Sequence, residues 1–154
     1  MKDFLIYLCL PPYLAQWYAN DCNQVHNRDN KTCPREIYRF PTPVVPVRNS
    51  QESGVIQTHL QKQPVEGPQP VPDNATIAIV IPSFPYKPVE YYNYVPRVGL
   101  EHLEDTIRNR FQVELYDDIH EARRITPKAR IDLLISAWME DHCIEDDDTN
   151  FRTL

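Results

Sequence analysis

A chain of 154 residues, 42 % of them hydrophobic, fits one domain and can bury a core without staples. Fifteen prolines against three glycines make proline the punctuation of the fold and exclude a glycine-rich phosphate loop. The net charge of −6 argues against broad phosphate binding, yet residues 1–131 carry 15 basic and 15 acidic side chains, so the excess lies from Asp132 onward and a local basic patch stays open.

Residues 4–10 are apolar on both alternating faces, the pattern of a strand covered on both sides. The run resembles a short signal-peptide core, but Asp3 spoils the positive flank, Pro11 and Pro12 follow at once, and there is no small-residue cleavage site, so a core strand is expected. Leu14, Trp17, Tyr18 and Cys22 have helical spacing and predict a short helix beginning near Pro12. The polar run 23–31 reads as a loop. Residues 36–40 alternate and predict a strand, after which Pro41, Pro43 and Pro46 impose an extended connection. A short helix is predicted over 50–60, with Ser50 as its N-cap.

The Gln, Pro, Val, Glu and Gly composition of 61–73 predicts a surface spacer of polyproline character, without the basic anchor of an SH3 ligand. Residues 75–81 form the clearest strand, with Ile77, Ile79 and Ile81 on one face and Ala78 and Val80 on the other, expected to pair with 4–10. Segment 84–96 holds Tyr86, Tyr91, Tyr92 and Tyr94. Tyrosine buries a ring and keeps a polar tip wet, which suits a lid over the core or an interaction surface.

The stretch 99–143 reads as two helices around a Thr126–Pro127 break. Leu100, Leu103, Ile107, Phe111, Leu115, Ile119 and Ala122 recur at steps of three and four, starting at Gly99, with Arg123 and Arg124 in the last turn, where cations meet the negative end of the dipole. Asp118 interrupts the stripe, so the far end is expected to be partly exposed. Thr126 and Pro127 predict the N-cap and first position of the second helix. Its inner face is predicted to hold Ile131, Leu134, Ile135, Trp138 and His142, widened by Leu133 and Ala137. The acidic run 145–148 reads as a solvated lead into a third helix near Thr149.

Among chemistry-bearing groups, Cys22, His26 and Cys33 offer three soft ligands in one stretch, but their spacing matches no zinc pattern, and no metal or cofactor is expected. Asp117-x-x-His120 is half of a bundle di-metal motif without its second half. His142 reads as a satisfied core histidine. No Ser or Cys sits in a nucleophile motif, so an enzyme is not expected. Arg123, Arg124, Lys128 and Arg130 flank the interhelix break, with Arg97, Arg108 and Arg110 as possible additions to a phosphate-binding surface. Against that, the second helix presents Asp132, Glu140 and Asp141, and the arginines can pair with Glu114, Asp117, Asp118 and Glu121. Four cysteines lack the density of a secreted scaffold, and no run is long enough to cross a bilayer; reduced thiols in a cytoplasm are expected.

At Ala78-Ile79-Val80-Ile81-Pro82, Tyr92-Asn93-Tyr94, Ile107-Arg108-Asn109-Arg110-Phe111 and Ala137-Trp138-Met139-Glu140 the chain resembles a group of small uncharacterised proteins from phages and integrated mobile elements of Bacteroides-like bacteria. The likeness spans residues 8–154 and implies no activity. That group carries a basic tail after the last helix, which this chain lacks, so a nucleic-acid role carried by such a tail is not expected.

The expected architecture is one α+β domain: a small β-sheet with a C-terminal amphipathic helical hairpin, divided into a mixed part (1–82), a tyrosine-rich connector (83–98) and a helical part (99–154). The expected role is that of a non-enzymatic binding or adaptor protein of a phage or mobile element, away from membranes, gripping a protein partner through Tyr91, Tyr92, Tyr94, Trp138 and the basic interhelix turn. The alternative is helix-turn-helix-like DNA binding through Arg123, Arg124, Lys128 and Arg130.

Overall fold

The structure, a computed structural model, describes residues 4–26, 37–65, 67 and 69–145. In chain order its elements are β1 (Leu5–Leu8), α1 (Pro12–His26), β2 (Pro43–Val44), α2 (Gln51–His59), β3 (Gln61–Lys62), β4 (Ile77–Val80), β5 (Tyr92–Tyr94), α3 (Arg97–Ile125) and α4 (Ile131–Asp141). This is an α+β architecture, with two small sheets and a C-terminal helical pair.

Strand β4 is the axis of the larger sheet. β1 pairs with it antiparallel, Ile6 opposite Ile79 and Leu8 opposite Ile77, as the apolar density of the two runs implied. β2 pairs with its other edge in parallel. Ile77, Ala78 and Ile79 are wholly buried, so both faces of β4 are covered, whereas β1 buries Ile6 and Leu8 and half-covers Leu5 and Tyr7. The strand expected over 36–40 does not form within its described part: residues 37–39 are irregular and the chain turns at Phe40. Tyr38 instead reaches the sheet with its side chain. Its hydroxyl accepts from the Ala78 N–H at 3.3 Å and donates to the Thr42 carbonyl at 2.7 Å. The strand follows at Pro43, where flanking prolines hold it to two residues.

Helix α1 begins at Pro12 as expected but runs 15 residues, into the stretch 23–31 predicted as a loop. Every residue from Leu14 to Asn20 is buried, so this helix is central rather than one-sided, touching both β2 and α3. α2 matches its predicted span, and the Ser50 side chain accepts from the Ser53 N–H at 3.2 Å.

α3 is the element against which α1, α2 and α4 all pack. Its buried residues Leu103, Ile107, Phe111 and Leu115 fall on the predicted stripe. Phe111 gathers rings from two other helices, with centroids 5.2 Å to Tyr13, 5.5 Å to Trp17 and 5.6 Å to Trp138. Gly99 lies inside the first turn of α3 rather than before it, and a Cβ there would sit 2.6 Å from the Cβ of His59. The missing side chain is what lets α2 approach so closely.

Two predicted boundaries are corrected. Thr126 is the C-cap of α3, its N–H bonded to the Ala122 carbonyl, not the N-cap of α4. A turn over 127–129 follows, and α4 starts at Ile131 after Arg130. Pro127 disfavours helical geometry at Thr126, which ends α3, and the positions of α4 that pack begin only at Leu134: Ile131, Leu133 and Ala137, expected on its inner face, are exposed, and Met139 is buried there instead. The segment 61–73 is also more than a spacer. It opens with β3, paired to β5, and Gln69 brackets Val95, accepting from its N–H at 2.8 Å and donating to its carbonyl at 3.2 Å. The helix expected near Thr149 lies outside the described residues.

Candidate functional site

Glu114 and Asp118 stand one turn apart on α3 and face the end of α4, where a hydrogen-bonded cluster forms around Trp138 and His142. That end is held firmly. Ile144 N–H bonds to the Met139 carbonyl and Cys143 N–H to that of Glu140, with Cys143 in the left-handed region at φ 56°. This is a Schellman closure with cysteine where glycine is usual, sealed by burial of Ile144 against the core that holds Met139. The Glu145 N–H then donates to Gln16 Oε1, tying the chain back to α1.

Trp138 positions both neighbours. Its indole Nε1 donates to Asp118 Oδ2 at 2.9 Å, and its ring stacks on the His142 imidazole with centroids 4.0 Å apart. His142 Nδ1 lies 2.7 Å from the Trp138 carbonyl, which can only accept, so Nδ1 carries a proton. His142 Nε2 lies 3.0 Å from Glu114 Oε1. Two lone pairs would repel at that distance, so the contact favours a proton between the two atoms. Burial alone would lower the His142 pKa, but the Glu114 hydrogen bond, the Trp138 carbonyl and the charges of Glu114 and Asp118 outweigh it and raise the value.

A second polar cluster is inside the fold. Arg110, expected among surface cations, instead bridges two carboxylates, with Nε 2.6 Å from Glu52 and Nη2 2.7 Å from Asp21. Glu52 is fully buried, and the guanidinium lies over the Trp17 ring at 4.9 Å. A cavity of about 360 Å³ beside them is lined by Tyr18 and Cys22. Neither is poised as a nucleophile: burial raises Tyr18 well above its usual range and pushes the Cys22 thiol up to about 12. A wider cleft of about 1090 Å³ between the start of α2 and residues 82–88 has Arg48 as its one ionisable lining residue.

The residues singled out from the sequence do not form one surface. Tyr92 and Tyr94 are half-buried in β5, where Lys62 lies over the Tyr92 ring, and Phe84, Val89 and Tyr92 pack on the core; Tyr86 and Tyr91 face solvent. The connector is thus a lid with two exposed rings. It feeds the start of α3, whereas Arg123, Arg124, Lys128 and Arg130 surround its far end; 29 residues of helix put them about 43 Å apart. Trp138 is 6 % exposed and belongs to the hairpin interior, not to a contact surface. Arg124 pairs with Glu121, Arg130 with Asp132 and Arg108 with Asp105. Cys22 is a core residue, while Cys33 and the His26 side chain lie outside the described residues. Asp117 and His120 are exposed, and it is Asp118, one position on, that joins His142. The i, i+4 pair Glu114 and Asp118 was visible in the sequence, but nothing local linked it to a histidine 24 residues beyond Asp118.

Comparison with family models, with curated proteins and with solved structures finds no match to this chain.

Proposed function

We propose that this is a non-enzymatic binding protein of a phage or mobile element, acting in a cytoplasm, and that the free end of the α3–α4 hairpin grips an acidic, apolar-faced segment of a partner protein. The observation that carries the reading is a hairpin that outruns its core. α3 has no buried residue beyond Leu115, and the buried residues of α4 are Trp138 and Met139, near its far end. Around the turn, Ile125, Ile131 and Leu133 are 49–68 % exposed, amid Arg123, Arg124, Lys128 and Arg130. Apolar side chains beside these cations, of which Arg123 and Lys128 stand outside the Arg124–Glu121 and Arg130–Asp132 pairs, suit a protein segment that carries acidic residues. Supporting the non-enzymatic part, the wide cleft has a single ionisable lining residue among the described residues, and Asp21, Glu52 and Arg110 of the narrow cavity are engaged with one another. Supporting the compartment, Cys9 and Cys22 are free thiols, and among the described residues no helix is long and apolar enough to cross a membrane.

DNA is the less favoured ligand of the same turn, because Arg124 and Arg130 already face Glu121 and Asp132, and α4 displays Asp132, Glu140 and Asp141. The test is a peptide-display selection on the whole protein. It is expected to enrich sequences mixing acidic and apolar residues, whose binding falls at least about tenfold in Ile125→Ser/Leu133→Ser and is unchanged in the distant Tyr91→Ser. Retention of duplex DNA at about 50 mM salt, collapsing by about 200 mM and abolished by Arg123→Glu/Lys128→Glu, would replace this reading with the nucleic-acid one.

A further inference from the structure

We propose that Glu114, Asp118 and His142 form a site for one divalent transition-metal ion, zinc foremost, that clasps the end of α4 to the middle of α3. One donor atom from each residue lies within 4.8 Å of the other two. Donors of a tetrahedral zinc site with bonds of about 2.0–2.1 Å stand roughly 3.3 Å from one another. His142 Nε2 and Glu114 Oε1, at 3.0 Å, are already near that separation, so the adjustment falls on Asp118, the exposed member of the three.

The chemistry of the donor set fits. An imidazole nitrogen with two carboxylate oxygens favours zinc and its first-row neighbours over magnesium or calcium, which take six or more oxygens. Two carboxylates balance the charge of a divalent ion beside a neutral ring.

Preorganisation is the second, independent observation. A ligating histidine ordinarily donates its other N–H to a carbonyl or carboxylate, which fixes the tautomer and aims the lone pair. His142 does this through Nδ1 to the Trp138 carbonyl, leaving Nε2 directed at the Glu114 carboxylate. The Trp138 ring holds the imidazole plane by stacking, and its N–H holds one oxygen of Asp118, leaving the other oxygen to coordinate. Trp138 is thus a positioning residue for two of the three ligands. A bound ion would lie where the Glu114–His142 hydrogen bond places a bridging proton. Three protein donors leave a coordination position for water.

The inference does not depend on the partner-binding role of the hairpin end, and its test reads metal alone. Zinc titrated into the purified, chelator-treated full chain against a chromogenic competitor is expected to bind at one equivalent, with Mg²⁺ failing to compete. Glu114→Gln and His142→Gln should each weaken binding at least about tenfold. Trp138→Phe, which keeps the stacked ring and loses the N–H, should weaken it about 10–100-fold with an unchanged circular dichroism spectrum. Asp117→Asn, His120→Gln and His102→Gln should leave affinity as it is; the last tests the separate His59–His102 pair, whose ring nitrogens lie 3.1 Å apart. Should variants fail to fold, the wild-type protein still decides the matter, because zinc must shift the His142 ring nitrogen resonances before those of the other histidines. The absence of zinc binding overturns the proposal, as does binding that survives Glu114→Gln/His142→Gln, or binding lost with His102→Gln or His120→Gln.

Discussion

Replacing Arg110 with methionine isolates the most exposed energetic dependence of the core. Methionine keeps an unbranched stem over Trp17 and removes the guanidinium that holds Glu52 at 2.6 Å. Glu52 is fully buried, and its Oε2 has no hydrogen-bond partner among the described residues, so the variant leaves a buried carboxylate with no cation beside it. Breaking such a pair from one side costs about 3–5 kcal/mol. The Asp21 arm adds little, about 0–1 kcal/mol, because both of its side chains keep a quarter or more of their surface in water. In a chain of this length each kcal/mol moves Tm by about 2–4 °C, so Arg110→Met should melt roughly 6–20 °C lower. Arg110→Met/Glu52→Leu should recover most of the loss, since replacing both partners of a buried pair by apolar groups is often neutral or stabilising. Urea and thermal unfolding of the two single variants and the double variant complete the cycle. A single-variant loss under about 1 kcal/mol, or a double variant no better than the worse single, would refute the claim that Glu52 is held by Arg110.

Three other expectations follow from local geometry. Gly99→Ala should destabilise the protein by about 1–3 kcal/mol in urea unfolding despite alanine's better helix propensity, because its Cβ would meet His59 Cβ at 2.6 Å and Val95 Cγ1 at 2.7 Å; Val95→Ala, which removes the second contact, should relieve part of the loss. In a Cys33→Ser background, Cys9 should react with a thiol reagent before Cys22 and Cys143, which are buried and should label only on unfolding; early labelling of Cys22 would contradict its place in the core. His142 has a folded pKa raised above 6.5, so its contribution is fully present below about pH 6.5 and is lost as pH rises through the folded value. Chelator-treated wild type should therefore lose stability relative to Glu114→Gln as pH rises above about 6.5, and an identical pH dependence of the two would dissolve the Glu114–His142 pair.

The pairing of β1 with β4, the Ser50 cap and the buried stripe of α3 were all legible in the chain, because each signal is contained in a few neighbouring residues or in the apolar density of a run. So was the exposure of the far end of α3, announced by Asp118 interrupting the stripe; the exposure of Ile131 and Leu133 was not, because their spacing places both on the inner face of α4. What needed three dimensions was every role that depends on which elements meet. Arg110 reads as one more surface cation until Asp21 and Glu52 arrive from helices 89 and 58 residues away. Tyr91 and the basic turn read as parts of one surface until α3 is seen to hold them at opposite ends. Trp138 reads as a contact residue until Phe111, Asp118 and His142 close around it. Periodicity and capping determine where a helix or strand forms, since they act over one or two turns. The charge state, burial and partners of a side chain are set by tertiary packing, which brings together residues that no local pattern connects.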